Sequence, residues 1–550
     1  MANDVKVTFL GGLGDIGRNC AAVEIDNQIM LIDCGIMFPE AHMPGVNVVL
    51  PDFDYLKQNA SKVVGVVCTH GHEDHIGALR YLLAEMPLKI IGSELTLALA
   101  KNRIGQANLL DQADFVEVKD NSRTQIGAFD LEFFPVTHSV PHGFATAFHT
   151  PQGVLLHSGD FKLDMTPVDG RLTDLSGLGK LSSSEGVRLL LADSTNADAA
   201  GYSESESQIG ETLKAIVTSK PDKRLVVACF ASHIHRIQQI ADAAIAQGRY
   251  ILSLGRTMKN NIELAREMGL LRIPENKIKP IEDIDNLADR EICVISTGSQ
   301  GESMSALARM ANGDSHHMAI RDTDCIIMSS HPIPGNETGV TAMLNALIKR
   351  GAEVIDSTHQ LVHTTGHAKQ TELRVFHSVV KPENFVPVHG EYRHMVAHKN
   401  LALEMGMGQD NIIVCTDGDS VILSDVGISS GETIDADYIY VAGDVKDLGE
   451  QVLADRRVLG DDGFVSVVLS IDSDLRLRND PQIVSRGWIS GELQDDLHAR
   501  AVKVVAAAIN GEDFADAGKV SKAARRALGK FINAETRLRP MVVPVVMSDN

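Results

Sequence analysis

Three histidines and two acidic residues occupy positions 70–75, directly after the apolar run VVGVVC. They form the pattern H-x-H-x-D-H, whose members are His70, His72, Asp74 and His75. In an extended or tightly turning segment, His70 and His72 can direct their imidazoles to the same side, because they are two residues apart. Imidazole nitrogen and carboxylate oxygen are the ligands that Zn²⁺ prefers, with Mn²⁺ as the alternative. The density of such side chains predicts a metal-binding loop rather than a helix-capping turn.

Other strand-like segments end in the same types of residue. His138 follows LEFFPVT, Asp160 ends GVLLHSGD, and His389 follows NFVPV. A carboxylate has two oxygens, so Asp160 can bridge two ions. We therefore predict two Zn²⁺ per subunit, one held by His70, His72 and His138, the other by Asp74, His75 and His389, with Asp160 shared. An open position on each ion would make the site catalytic rather than structural.

The elements that would carry these residues change along the chain. Short β-rich runs separated by turn residues fill residues 5–160. From about Ser205, helix-period segments alternate with the strand-like RLVVACF, EICVIST and DCIIMSS, and after about Gln360 the β-rich pattern returns. We therefore predict an α/β chain with an inserted middle domain. The expected domains are 1–204 and 359–445 for the metal-bearing domain, 205–358 for the insertion, 446–459 for a linker and 460–550 for a C-terminal module.

These motifs together resemble a known family. Asp33 in LIDCG, the H-x-H-x-D-H run and the three later ligands resemble the metallo-β-lactamase superfamily. Asp193 in LLADSTN, His367 in HTTGHA and His389 in PVHGE resemble the three motifs of its β-CASP nucleases. The segments CFASHIHRIQQI, STGSQGE, SSHPIPGNE and SRGW extend the likeness to the bacterial ribonuclease J family over nearly the whole chain. The resemblance implies a metallo-β-lactamase αββα sandwich with an inserted β-CASP α/β domain and a small C-terminal α+β domain.

Three positions depart from the family pattern: Ser303, His331 and Thr365. Thr365 stands where serine is common, His331 replaces a serine, and Ser303 stands where proline often follows Gly-Glu. These departures concern contacts to phosphate rather than the catalytic chemistry.

The resemblance also implies roles for residues outside the ligand set. His367 is expected to act as proton donor or transition-state contact, and Asp193 to orient a ligand or His367. Asp193 could alternatively cap a helix, because DSTN is also good capping sequence. Asp33 is expected to accept a hydrogen bond from a metal-binding histidine. The predicted catalytic residues are thus His367, Asp193 and the ligand Asp74.

Two segments are expected to bind the 5′ phosphate of a substrate, because they offer small hydroxyl side chains and backbone N–H groups. Their residues are Ala231, Ser232 and His233 in ASH, and His363, Thr364, Thr365, Gly366 and His367 in HTTGH. The assignment depends mainly on the resemblance, since each segment could also be a capped turn.

The function that follows is hydrolysis of phosphodiester bonds in single-stranded RNA, in RNA decay and maturation. We predict a 5′-to-3′ exonuclease that prefers 5′-monophosphate ends, with endonuclease activity as a second mode. One alternative is a metallohydrolase of small thioesters or lactams, against which Asp193 and His367 argue. The other is a catalytically inactive RNA-binding or scaffold subunit, against which the complete ligand set argues.

Composition sets the remaining expectations. The 550 residues carry a formal net charge of −22, which disfavours general attraction to nucleic acid or anionic membranes. Seven cysteines without a C-x-x-C pair indicate reduced thiols, and no apolar run is long enough to cross a bilayer. We therefore expect a cytoplasmic protein without membrane association. The family resemblance adds a homodimer or homotetramer and RNA-decay proteins as partners.

Overall fold

The computed structural model describes residues 3–40, 42–302, 304–333 and 335–548, so the predicted departure at Ser303 lies outside the described residues. The chain divides into two compact units. The first unit contains Met1–Phe38 and Val48–Ile439, and the second contains Pro39–Asn47 and Tyr440–Asn550. The domain boundaries derived from the sequence stay predictions.

Two β-sheets form the centre of the first unit. The larger is mixed, and its strands in spatial order are Gly427–Ser430, Ser420–Ser424, Val5–Gly11, Cys20–Ile25, Gln28–Ile32, Val63–Val67, Leu88–Gly92 and Ala113–Glu117. The strands of the other sheet are Asn384–Val388, Val187–Asp193, Gly153–His157, Gly143–Thr150, Phe129–Val136 and Arg123–Ile126. Shorter strands are Leu13–Gly14, Val48–Leu50 and Gly390–Glu391, and the strand Ile439–Val441 continues into the second unit at Tyr440.

The two sheets pack face to face through buried side chains. Phe9 of the larger sheet and Phe133 of the smaller sheet belong to one hydrophobic core. The neighbouring Phe134 points to the opposite face and packs with Phe376 of a helix, as the period of two in a strand requires. The helices of these outer layers are Asp54–Gln58, Glu73–Ile76, Leu79–Leu83, Glu94–Gln106, Leu175–Ser184, Gln370–Val380 and Tyr392–Glu404.

One edge of the smaller sheet collects the ends of parallel strands. Gly153–His157 pairs in parallel with Val187–Asp193, which pairs in parallel with Asn384–Val388. Because the carboxyl ends of parallel strands meet at one edge of a sheet, Asp160 and His389, which follow two of these strands, come close to Asp193. This edge carries the candidate active site.

The middle of the first unit forms a separate parallel sheet. Its strands in spatial order are Ile278–Lys279, Tyr250–Leu254, Ile292–Ser296, Arg224–Ala228, Asp324–Met328 and Glu353–Ile355. Both faces are buried, since Val227 and Val226 of one strand belong to different cores. The surrounding helices are Glu206–Ser219, Ile234–Ala246, Arg256–Glu267, Ala306–Asn312 and Glu337–Lys349.

The second unit has its own core. Its strands are Gln482–Arg486, Phe464–Ile471 and Met541–Ser548, and its helices are Glu450–Asp461, Glu492–Asn510 and Ala517–Thr536. Val465, Val467 and Leu469 alternate along one strand and pack under the two longer helices. Within the described residues of both units, no helix combines the length and hydropathy needed to cross a membrane.

Candidate active site

Three imidazoles and one carboxylate converge in a first group. The Nε2 atom of His70 lies 2.9 Å from Nδ1 of His72, and Nε2 of His138 lies 3.2 Å from the same Nδ1. Oδ2 of Asp160 lies 3.7 and 3.9 Å from Nε2 of His70 and His138. Ring nitrogens that face one another beside a carboxylate form a suitable set of cation ligands.

A second group shares the same carboxylate oxygen. Oδ2 of Asp160 lies 3.2 Å from Nε2 of His75 and 3.4 Å from Nε2 of His389. Oδ2 of Asp74 lies 3.4 and 3.5 Å from these two nitrogens. The structure thus brings together all seven residues predicted as ligands, in the two groups that the sequence suggested.

The opposite ring nitrogens of two histidines contact buried carboxylate and hydroxyl groups. Nδ1 of His75 lies 2.7 Å from Oδ2 of Asp33, and Nδ1 of His389 lies 2.7 Å from Oγ1 of Thr195. Such a partner fixes the orientation and tautomer of a metal-binding imidazole. Asp33 therefore occupies the supporting position expected from the sequence. Thr195 was not predicted, although its place two residues after Asp193 could have indicated it.

The histidines of the first group are oriented by the backbone and by a hydroxyl. Nδ1 of His138 donates to the carbonyl oxygen of Gly366 over 2.8 Å, and Nδ1 of His70 lies 3.1 Å from Oγ1 of Thr69. Gly366 permits this approach because a Cβ there would lie 2.6 Å from the His138 ring. Gly366 was expected to contact substrate, whereas its carbonyl oxygen is used by His138.

Burial prepares the first group for a cation. It lowers the pKa of His70 and His138 well below the usual range and that of His72 to about 4, so these imidazoles are neutral. Neutral imidazole is the form that binds metal.

In the second group, burial alone would lower the pKa of His389. The carboxylates of Asp160 and Asp74 outweigh it and raise this pKa to about 9, and the pKa of His75 shifts upward for a similar reason. Two histidines that favour a positive charge next to two carboxylates mark a place where a bound cation can replace the protons. The buried Nε2 of His389 makes no hydrogen bond among the described residues. The donor set and its charge therefore fit divalent metal.

The backbone at two of these residues is unusual. Asp33 has φ 60° and His389 has φ 55°, so both lie in the left-handed region that L-residues rarely occupy. Each such position costs about 1–3 kcal/mol and persists only where the surroundings enforce it. Gly35 is required nearby, because a Cβ there would lie 1.6 Å from the carbonyl oxygen of Asp74.

His367 lies beside both groups and is held by Asp193. Its Nδ1 is 2.7 Å from Oδ2 of Asp193 and 4.0 Å from Oδ2 of Asp160. Although burial opposes it, the adjacent Asp193 carboxylate raises the pKa of His367. The other Asp193 oxygen accepts from the backbone N–H and hydroxyl of Thr195. The next helix begins only at Glu206, so the Asp193 carboxylate closes a turn with Thr195 and orients His367 rather than capping a helix. The side chain of His367 is 19% exposed, which leaves it open to solvent.

The two predicted phosphate-binding segments meet near a buried arginine. Arg236 donates 2.9 Å to the carbonyl oxygen of Val362, which precedes His363, and lies in the helix that begins after His233. Nδ1 of His363 and both ring nitrogens of His233 are buried and make no hydrogen bond with another described residue. Buried polar atoms without partners are uncommon in folded proteins, so they mark a place that could receive a ligand.

The hydroxyls of the second segment have internal partners. Thr364 donates to the carbonyl oxygen of Glu204 over 2.9 Å. Oγ1 of Thr365 accepts from the amide of Asn196 over 2.8 Å and from the backbone N–H of His367 over 3.2 Å. The Thr365 hydroxyl therefore holds the backbone of His367 in place. In the first segment, the carbonyl oxygen of Ala231 accepts from Asn261, while Ser232 is half-buried.

Family models match consecutive parts of the chain. The model described as Metallo-beta-lactamase superfamily matches residues 13–217, and the Ribonuclease J, beta-CASP domain matches residues 222–347. The Zn-dependent metallo-hydrolase RNA specificity domain matches residues 351–414, and the Ribonuclease J C-terminal domain matches residues 451–548.

Curated relatives match over nearly the full length. Ribonuclease J of Mycolicibacterium smegmatis is 37% identical, with 99% of this chain and 97% of the relative covered. Ribonuclease J2 of Bacillus subtilis is 34% identical, with 99% and 98% covered. A solved structure of a protein of unknown function from Enterococcus faecalis has a TM-score of 0.53 at 14% identity, over 76% of this chain and 100% of the other, which concerns the fold alone.

The predicted fold class is thereby confirmed: a metallo-β-lactamase domain, an inserted β-CASP domain and a C-terminal domain. The predicted hydrolysis of RNA with divalent metal is confirmed at the level of a metal-dependent ribonuclease.

Proposed function

The chain belongs to the ribonuclease J family, and from this we propose that it degrades single-stranded RNA in the 5′-to-3′ direction from 5′-monophosphate ends, with internal cleavage as a second mode. One observation carries the proposal. His363, near the unpartnered ring of His233, and His367, beside the metal ligands, are four residues apart. Four residues span at most about 14 Å, so a phosphate held near His363 would be a short, fixed distance from the reacting linkage.

We propose that the two groups of ligands hold two Zn²⁺ ions, with Mn²⁺ as the alternative. Such ions supply an activated water and neutralise charge on the phosphoryl oxygens. Support comes from the shared Asp160 oxygen and from the complete nitrogen and oxygen donor sets of both groups.

The remaining chemical need is a proton for the departing oxygen. We assign this step to His367, whose Nδ1 is held by Asp193, so that the ring has a fixed orientation beside the ligands. In the terminal cut, a bond from water to phosphorus forms and the bond to the 3′ oxygen of the first nucleotide breaks, and that oxygen takes a proton. The shortened RNA then carries a new 5′ monophosphate and is again a substrate. The product therefore favours repeated cuts.

We propose that ASH and HTTGH receive the 5′ phosphate. Nδ1 of His363 and Nδ1 of His233, whose Nε2 faces Glu206, would gain a partner. A triphosphate would bring further anionic oxygens into a region where they lack one. Ser232 is the sharper residue to test, because the hydroxyl of Thr365 is already engaged with Asn196 and His367.

The test is a time course on one RNA that carries either a 5′ monophosphate or a 5′ triphosphate, with and without chelator. We expect mononucleotides from the monophosphate form, slow decay of the triphosphate form, and no decay with chelator. Ser232→Ala should lower the preference about tenfold, as expected for one hydrogen bond from a hydroxyl to a charged phosphate. Equal rates and identical product ladders for the two RNAs would reject the pocket.

We propose further that the second unit carries assembly into a homodimer or homotetramer. Val484, Val545 and Met547 lie on the sheet face opposite its buried core and are 47%, 43% and 53% exposed. Exposed apolar side chains on one face of a sheet are typical of an interaction surface. A cytoplasmic location and association with RNA-decay proteins complete the proposal.

A further inference from the structure

A buried cluster of charged residues lies between the metal-bearing and inserted parts of the first unit. Its members are Lys162, Asp164, Glu206 and Arg236, whose side chains are at most 4% exposed. Buried charges are retained only when they are paired and hydrogen-bonded, because taking them out of water is costly. Glu206 is the member that contacts both Lys162 and His233.

On the side of the inserted domain, Glu206 contacts the proposed phosphate pocket. Its Oε2 accepts a hydrogen bond of 2.7 Å from Arg236, and its Oε1 lies 3.4 Å from Nε2 of His233. Oε1 is buried and makes no hydrogen bond with a described residue. Arg236 is itself fixed, because it also donates to Oγ of Ser329 over 2.5 Å. The carboxylate of Glu206 is therefore held in place with one oxygen facing the histidine.

On the side of the metal-bearing domain, the cluster begins two residues after Asp160. Nζ of Lys162 lies 3.5 Å from Asp164 and 3.9 Å from Oε1 of Glu206, and it donates to the carbonyl oxygen of Glu204 over 3.0 Å. Oδ2 of Asp164 in turn accepts from the backbone N–H of Glu206 over 2.9 Å. These contacts connect the segment that carries Asp160 directly to the residue that faces His233.

We propose that Glu206 is the positioning residue for recognition of the 5′ phosphate: it orients the His233 ring and ties it to the segment that carries Asp160. The inference rests on the proposed function and adds to it the residue that sets the pocket against the catalytic centre. Burial lowers the pKa of the free His233 ring to about 4 despite the Glu206 carboxylate, so a ring that donates one N–H to Glu206 and the other to phosphate gains its second proton when the phosphate binds. The groups facing this ring are Glu206, Arg236, His235 and His363.

The test measures binding of a nuclease-resistant 2′-O-methyl oligonucleotide with a 5′ phosphate or a 5′ hydroxyl to the metal-loaded protein. Fluorescence anisotropy of a 3′ label gives the ratio of the two dissociation constants. We expect Glu206→Gln to lower this ratio about tenfold, the scale of one charged hydrogen bond, and to leave binding of the hydroxyl form within about twofold. His233→Gln should act likewise, and the double variant should lose no more than either single one.

Glu211→Gln is the matched control, because Glu211 is exposed on the same helix. An unchanged ratio in Glu206→Gln, equal loss for both oligonucleotides, or additive losses in the double variant would overturn the inference while the pocket stands. A wild-type protein that binds both ends equally would reject the pocket and the inference together. If Glu206→Gln fails to fold, Glu206→Asp keeps the charge and moves it by one methylene, and an unchanged ratio there would also overturn it.

Discussion

The two histidine-rich regions of the first unit differ in what faces their ring nitrogens. Around Asp160, imidazole nitrogens approach one another and a carboxylate, and their opposite nitrogens are held by oxygen atoms. Around His233, ring nitrogens lack hydrogen-bond partners among the described residues, and the cations Arg236 and Lys162 lie within the adjoining cluster. Histidine side chains thus suit a metal cation in the first region and an anion in the second.

The difference follows from electrostatics and donor chemistry. A cation requires lone pairs and negative charge, which the Asp160 region supplies through two carboxylates. An anion requires N–H donors, which the ring nitrogens of the His233 region can supply beside a cluster whose cations Lys162 and Arg236 are paired with Asp164 and Glu206. Histidine count alone would not separate the two regions, whereas the neighbours of each ring do.

The largest expected effect is on the cation region. His72→Ala removes a nitrogen on which two other ligands converge, so RNA hydrolysis should fall by far more than the roughly 100-fold typical of losing an outer hydrogen-bond partner. Bound metal, measured by mass spectrometry, should fall with it. His359→Ala is the control, because its side chain is 64% exposed. Turnover that survives in chelator-treated His72→Ala protein would contradict the assignment.

The next effect concerns the group between the regions. His367→Ala should slow cleavage about 10²–10⁴-fold in single-turnover assays, the range expected for loss of a general acid, while metal content and RNA affinity persist. Asp193→Asn should reproduce part of the loss, since Asp193 orients the ring. Parallel loss of metal and activity in His367→Ala would instead make His367 a ligand.

A smaller effect is expected at Asp33, which contacts the ligand His75 rather than the metal itself. Asp33→Asn places an amide next to Nδ1 of His75 and Oγ1 of Thr69, which both contact Oδ2 of Asp33. Metal affinity should fall about 10–100-fold, as measured by competition with a chelating dye. Asp111→Asn at an exposed position should leave the affinity unchanged. Unaltered affinity in Asp33→Asn would remove Asp33 from the site.

A variant that weakens self-association should leave the metal-binding region and the His233 region functional. Val545→Asp would bury an unpaired charge in the proposed contact face, which costs several kcal/mol, so self-association should weaken at least about tenfold. Light scattering should then show monomers, as it should after truncation near Gly460. Cleavage of a short RNA should stay within about twofold. Val426→Asp, at a residue that is 98% exposed in the first unit, is the control. A wild-type chain that is already monomeric would refute this prediction.

The smallest expected effect is on stability at low pH, and it concerns two buried histidines that lie outside both regions. His377 and His398 contact each other at 3.0 Å, and burial lowers the pKa of His377 to about 4 from a usual 6.5. Between these values the unfolded chain binds more protons than the folded one, so stability is full above pH 6.5 and falls as the pH drops toward 4. His377 should contribute about 1 kcal/mol to the stability lost between pH 6.5 and 5.5, seen as part of the fall in melting temperature.

His377→Gln should reduce this acid sensitivity, whereas His359→Gln, at an exposed position, should not. An identical melting shift in wild type and His377→Gln would show that other groups dominate acid unfolding.

The local spacing of residues and the family resemblance were sufficient to predict part of the fold and of the site. A metallo-β-lactamase domain, an inserted β-CASP domain and a metal-dependent ribonuclease were predicted and are confirmed by the comparisons. The ligand residues were named from strand-end positions, and the structure brings them together, while their roles stay predictions. Residues at such positions can be predicted from the sequence because the carboxyl ends of parallel strands lie at the same edge of a sheet.

Asp33 and Asp193 were predicted as orienting carboxylates, but the contacts of His138 with Gly366 and of His389 with Thr195 were not predicted. Gly366 and His138 are 228 positions apart, and Thr195 and His389 are 194 apart. The left-handed backbone of His389 likewise has no signature in its residue type. Such hydrogen-bond partners come together only because the packing of the sheets places their loops side by side.

The amino-acid sequence by itself determined which side chains could bind metal, which strands would carry them and which family the chain resembles, because these depend on local order and spacing. Only the tertiary structure decided that Thr69, Thr195 and Gly366 hold the imidazoles and that Glu206 links His233 to the segment of Asp160. The physical reason is that hydrogen bonding and desolvation act over a few ångströms in space, whatever the separation along the chain.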